Sequence, residues 1–190
     1  MSITWRSFNQ NKFQLNHDPS SVNDDIVTIR IGHSPDPDDA FMFHALTNGA
    51  IDTGNRRYEH VLVDIDTLNR EAEIGSFEVS AVSIHSYPKI SDSYYLMNCG
   101  ASMGEGYGPI LISKDEMSVE EANRSVIAVP GKSTSSYLAL VLALGEVEVV
   151  EVPFDQILPG VLNGKYDSGV RHNAPCEVVH FIITRRSSNQ

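Results

Sequence analysis

The chain lacks most of what would mark it for a membrane, a nucleic acid or an oxidising compartment. No apolar run approaches the ~20 residues that a bilayer-spanning helix requires. Cationic side chains are scarce: 14 Lys and Arg stand against 25 Asp and Glu, a formal net charge of -11 over 190 residues. Nucleic-acid affinity rests on cations that neutralise phosphates, and anionic lipid surfaces attract basic segments, so neither partner is expected. Two cysteines, Cys99 and Cys176, supply neither a disulfide framework nor a metal-ligand spacing. No His-x-x-x-His pair points to a metal site. Residues 1–25 lack the apolar core and small-residue cleavage site of a secretory signal. Rich in Asn, Ser, Gln and Asp, they are expected to form a disordered arm or to lie upstream of the true start. A cytoplasmic location is the corresponding expectation.

What remains is an ordinary globular composition, 41% hydrophobic, with enough apolar material for one sizeable core or two small lobes. From residue 26 onward, apolar segments of strand and helix period alternate. Residues 26–31, 58–64, 79–84, 94–97, 109–113, 125–129 and 147–152 read as strands. Residues 41–46, 67–74, 136–144 and 154–162 read as helices, with Asp66 as the cap of the second. Residues 136–144 are apolar on nearly every side, which predicts a buried helix. Strands separated by helices imply an α/β fold with largely parallel pairing.

Three segments could carry chemistry. Residues 32–39 (GHSPDPDD) join a strand to a helix, at the strand end where α/β folds bind ligands. Asp36, Asp38 and Asp39 suggest a cation, but Ala40 and Phe41 break the calcium-loop pattern, so capping and the helix dipole are the preferred reading. Residues 100–109 (GASMGEGYGP) alternate glycines, but Pro109 stands where the dinucleotide fingerprint needs its third Gly. A crossover segment is expected there. Residues 130–136 (PGKSTSS) follow a strand and open a helix. Val126 replaces the first Gly of a P-loop, so this is not a nucleotide motif. Backbone N–H groups, hydroxyls and a helix dipole still converge, which suits either a carboxylate or phosphate or simple capping by Ser133 or Thr134. His33, His44 and His85 read as structural.

Six blocks occur in order: residues 34–46 (SPDPDDAFMFHAL), 64–72 (DIDTLNREA), 81–88 (AVSIHSYP), 104–109 (GEGYGP), 129–140 (VPGKSTSSYLAL) and 152–169 (VPFDQILPGVLNGKYDSG). Together they resemble the 1,4-dihydroxy-6-naphthoate synthase family of the futalosine route to menaquinone. The chorismate dehydratases of the same pathway are the nearest alternative. The resemblance implies a type II periplasmic-binding-protein-like fold: two α/β lobes, residues 26–108 and 109–169, with a cleft between them. It implies a lyase without metal or organic cofactor, releasing dihydroxynaphthoate from cyclic de-hypoxanthine futalosine by proton abstraction beside a carbonyl and elimination. By motif, Asn69 and Ser83 would line the cleft, and Thr134, Ser135 and Ser136 would grip the carboxylate of a small-molecule substrate. A homodimer is a further expected option. A non-catalytic carboxylate-binding module of the same fold is the rival from another class.

The resemblance stops after Gly169. The family's next strand ends in the histidine proposed as general base. That position falls on Asn173, with His172 one residue early. Residues 170–175 (VRHNAP) do not make an apolar run, so the strand is expected to be missing, and one residue of shift reverses a strand face. Residues 170–190 read as a non-family tail, from a frame change or a truncated gene. The segment returning to the first lobe is expected to be absent, leaving the chain poorly stable and weakly active at best.

Overall fold

The computed structural model describes residues 2–6, 26–103, 108–172 and 180–184. Among these described residues, ten strands and six helices follow in chain order. β1 (Ser2–Arg6), β2 (Val27–His33), α1 (Pro37–Thr47), β3 (Arg56–Leu62), α2 (Ile65–Glu73) and β4 (Val79–Ser83) come first. A 3-10 turn (Ile84–Ser86) leads into α3 (Tyr87–Ile90) and β5 (Tyr94–Leu96). Then come β6 (Pro109–Ser113), α4 (Val119–Ala122), β7 (Ile127–Val129), α5 (Ser135–Leu144), β8 (Val149–Glu151), α6 (Phe154–Leu162), β9 (Ser168–His172) and β10 (His180–Thr184).

The strands form two sheets. In the first, β3 and β4 flank β2 in parallel, and β10 joins β4 to β5 in antiparallel register. In the second, the order is β6-β9-β7-β8, with β7 parallel to both neighbours and β6 antiparallel to β9. Ile29 and Ile31 of β2 alternate inward and are 1% and 2% exposed. They pack with Phe43 of α1 and Leu68 of α2. Gly32 is required by that packing, since a Cβ there would come within 2.7 Å of both Leu68 and Phe77. In the second sheet every residue of β7 is buried, as expected of a strand covered on both faces. Ile127, Val129 and Val170 meet Leu140 of α5 on one face. Ala128 meets Ile157 of α6 on the other, where Gly169 lets Ile157 approach.

The main strands and helices from residue 27 to residue 162 form close to where sequence period placed them. Several expectations are corrected. Pairing is mixed rather than largely parallel, because β6, β5, β1 and β10 run antiparallel to their neighbours. α5 is not buried all round: Leu142 is 78% exposed. The cap of α2 is Asp64, whose Oδ1 accepts the Thr67 N–H at 3.0 Å, and Asp66 instead pairs with Arg70. Residues 2–6 are not an arm but strand β1, whose sequence (SITWR) has period-two alternation.

The strand after Gly169 is present. β9 runs to His172 and holds both β6 and β7, so backbone pairing and the buried Val170 suffice without an apolar run. A segment also returns to the first sheet: β10 pairs with β4 over five positions, from His180 opposite Ser83 to Thr184 opposite Val79. The β-branched and aromatic sequence HFIIT favours that extended pairing. β1 also pairs with β4, Ser2 opposite Val82 through Trp5 opposite Val79, and β2 pairs with it in parallel. Residues 104–107 of the expected crossover, and Asn173 to Pro175, lie outside the described residues.

Candidate functional site

The two sheets meet where α2, the end of β4 and the turn after it face the loop that opens α5. Asn69 and Ser83, 14 residues apart, are both fully buried and hydrogen-bonded to each other. The Ser83 N–H donates to Asn69 Oδ1 at 2.8 Å, and Asn69 Nδ2 donates to Ser83 Oγ at 3.2 Å. The second Nδ2 hydrogen crosses to the Ser133 carbonyl at 3.1 Å. Asn69 thereby spends its whole amide within the protein.

Thr134 caps α5, with its Oγ1 accepting the Tyr137 N–H at 3.3 Å. The hydroxyl donates to the Gly131 carbonyl at 2.7 Å. That proton committed, the 3.0 Å contact with Ser136 must be a donation from Ser136 Oγ to Thr134 Oγ1. Thr134, Ser135 and Ser136 are 1%, 7% and 1% exposed. What this helix start offers an anion is therefore its positive dipole end rather than spare hydroxyl protons.

Close approach of the loop depends on Gly131. A Cβ there would overlap the Asp66 carboxylate, which Arg70 holds by an ion pair. Burial raises the Asp66 pKa, Arg70 lowers it and Glu151 raises it again, leaving it above its ordinary value. Ser86 and Lys89, not singled out by sequence, and His85, expected to be structural, line this junction. Ser86 Oγ donates to the Ser133 carbonyl at 3.0 Å, and Lys89 Nζ donates to Ser133 Oγ at 3.2 Å. The His85 ring faces Tyr137 with centroids 6.4 Å apart, its pKa lowered by burial and by Lys89. The block AVSIHSYP contains Ser86, but only folding shows that the turn brings it to residue 133.

His172 ends β9, its Cα opposite Pro109. Since β9 and β7 are parallel, it leaves the second sheet at the same end as the loop before α5. Asn173 lies outside the described residues.

The strand-to-helix segment at residues 32–39 is a separate polar cluster. The Ser34 N–H donates to Asp39 Oδ2 at 2.6 Å, while Asp39 Oδ1 is buried and unpartnered. Burial, opposed by Ser34 and reinforced by Asp38 and Asp36, pushes the Asp39 pKa up to about 8. For Asp39, desolvation thus outweighs the helix dipole that favours a charged carboxylate. Asp36 occupies the cap position without a side-chain bond to the helix; the Ser34 hydroxyl donates to its carboxylate instead. His33 Nε2 and His60 Nδ1 lie 3.0 Å apart, and His33 stacks on Phe43. Among the described residues, no three His, Cys, Asp or Glu side chains converge to hold a metal ion.

The string GASMG at residues 100–104 spells Gly-x-Ser-x-Gly. A nucleophile elbow needs a strand-to-helix turn. Ser102 sits in an isolated bridge after β5, and the next described element is strand β6, so no elbow is formed. No helix among the described residues is long and apolar enough to cross a membrane.

Residues 29–171 match the family model described as menaquinone biosynthesis. The chain is 35% identical over 142 residues to 1,4-dihydroxy-6-naphthoate synthase of Thermus thermophilus, covering 75% of this chain and 51% of that protein. The Streptomyces coelicolor enzyme of the same name is 34% identical over 149 residues, with 75% and 52% covered. The chain spans about half the length of these relatives. A crystal structure of an Archaeoglobus fulgidus protein superposes with a TM-score of 0.76 at 36% identity, covering 85% of this chain and 69% of that one. The alkanesulfonate-binding protein of Xanthomonas axonopodis pv. citri gives 0.65 at 12% identity, covering 84% and 66%, a likeness of fold alone. The fold is thus α/β and periplasmic-binding-protein-like, and the chain belongs to the menaquinone-biosynthesis family that includes the 1,4-dihydroxy-6-naphthoate synthases.

Proposed function

We propose that the protein is a cytoplasmic lyase that converts cyclic de-hypoxanthine futalosine to 1,4-dihydroxy-6-naphthoate in menaquinone biosynthesis. The observation that carries the reading is the junction itself. Blocks resembling the synthases, separated by up to 64 residues, supply Asn69, Ser83 and Ser133 to one hydrogen-bonded group beside the α5 N-terminus. In this reading residues 26–108 and 109–169 act as two lobes, and the substrate carboxylate binds at Thr134, Ser135 and Ser136. A carboxylate gains there from the helix dipole and backbone N–H groups. Burial strengthens each of those interactions by lowering the local dielectric.

The reaction removes a proton beside a carbonyl, then eliminates, and formation of the aromatic ring supplies driving force. The base must reach that proton within hydrogen-bond distance. His172 is our candidate, because its backbone ends β9 at the same end of the second sheet as the loop before α5. No resident metal or organic cofactor enters the scheme.

The test is turnover of cyclic de-hypoxanthine futalosine by the full chain, followed as released dihydroxynaphthoate. The reading expects product from the native chain and a loss of at least about 100-fold in kcat for His172→Gln, the scale of a positioned base. Binding without product would turn the reading to a carboxylate-binding module of the same fold. Neither binding nor product would refute both.

A further inference from the structure

We propose that Ser86 and Lys89 are positioning residues: across the junction of the two sheets they fix Ser133, and through it the α5 N-terminus that receives the carboxylate. The inference rests on the carboxylate reading above for its consequence, though not for its geometry.

Ser133 immediately precedes the cap residue of α5. Its carbonyl takes two hydrogen bonds from the first-sheet side, from Asn69 Nδ2 at 3.1 Å and Ser86 Oγ at 3.0 Å. Its hydroxyl takes a third, from Lys89 Nζ at 3.2 Å. Ser86 is fully buried, and its single hydroxyl proton is spent on this contact. In a trans peptide the C=O and the following N–H point in opposite directions. Pulling the Ser133 carbonyl toward Asn69 and Ser86 therefore turns the Thr134 N–H away, onto the Gly131 carbonyl at 3.2 Å. The same carbonyl accepts the Thr134 hydroxyl. The orientation of the 133–134 peptide thus sets the direction of the first turn of α5.

Ser86 and Lys89 act together because they sit three residues apart across the 3-10 turn and α3. Their roles differ. Ser86 contributes geometry only. Lys89 also brings a positive charge to the helix start, and its Nζ lies 3.7 Å from a Glu73 carboxylate oxygen. Lys89 therefore favours an anionic ligand over a neutral one, and part of that preference should be screened by salt.

Two readouts on the full chain test this. The first is hydrogen exchange of the Thr134, Tyr137 and Leu138 amides, each bonded within the loop or first turn, against the Val82 amide in β4. The second is affinity for 1,4-dihydroxy-6-naphthoate. Ser86→Ala is expected to speed exchange at Thr134 about fivefold, the scale of one hydrogen bond, with β4 unchanged, and to weaken the probe by a similar factor. Lys89→Gln should weaken the probe about fivefold and flatten its salt dependence, and Lys89→Arg should restore both to within about twofold. Unchanged exchange at Thr134 in both Ser86→Ala and Lys89→Gln overturns the proposal. Should Ser86→Ala also loosen β4, the exposed Lys89 decides: local exchange in Lys89→Gln sustains the proposal, and its absence overturns it. Failure of the native chain to bind the probe refutes the carboxylate reading, whereas the exchange comparison still decides the positioning role.

Discussion

At the scale of single residues, the structure fixes proton positions that a sequence cannot. His33 Nδ1 lies 3.0 Å from the Ser34 carbonyl, which can only accept, so His33 carries its proton on Nδ1. His33 Nε2 is then an acceptor, and His60 must donate from its own Nδ1. His60 Nε2, buried and unpartnered, is left bare. Both imidazoles are held neutral because burial lowers their pKa values. Nitrogen chemical shifts at pH 7.5 are expected to report the Nδ1–H tautomer at both rings; an Nε2–H signal at His33 would contradict the assignment. Asp39 has the opposite sign. Its folded pKa is raised to about 8 from 3.8, so the folded state keeps a proton that the unfolded chain releases. That stability is fully present below about pH 4 and is lost as pH rises toward about 8, at no more than about 1.4 kcal/mol per unit. The histidines, with lowered pKa values, instead cost stability as pH falls below about 6.5. Denaturant titrations should show Asp39→Asn removing the fall between pH 5 and 8 while leaving the acid limb. An unchanged slope would mean that Asp39 is charged in the fold.

At the scale of elements, local pattern and long-range contact separate cleanly. The strand β2 and the helices α1, α2 and α6 were legible because apolar period and turn residues report local geometry. Sequence does not separate Asp64 from Asp66 as the cap of α2, because the two are equivalent in type and only the Thr67 N–H direction distinguishes them. Replacing Asp64 with Ala should cost about 1 kcal/mol of stability, with a much smaller effect for a cap placed at Asp66. The apolar α5 looked buried because composition does not show how little covers Leu142. β10 was hidden because its pairing depends on β4, 97 residues away at the closest register pair, His180 and Ser83.

At the scale of the whole molecule, the described residues form separate buried apolar clusters in each sheet, and polar contacts join the two sheets. Asn69, Ser86 and Lys89 converge on Ser133, and Gly131 allows the approach by leaving room for Asp66. Gly131→Ala should force this junction apart, costing about 1–3 kcal/mol as an overpacked contact, and should weaken carboxylate binding more than Ala substitutions on the exposed face of α5. Asn69, Ser83 and Thr134 could be named from resemblance in the sequence. The hydrogen bonds of Asn69 to Ser83 and Ser133 could not, because partners 14 and 64 residues apart leave no local trace. The most direct measurement is an amide chemical-shift titration of the full chain with 1,4-dihydroxy-6-naphthoate. The account predicts saturable shifts concentrated at Asn69, Ser83 and residues 133–137, lost in Thr134→Val. No saturable shifts, or shifts centred on the His33–Asp39 cluster, would contradict it.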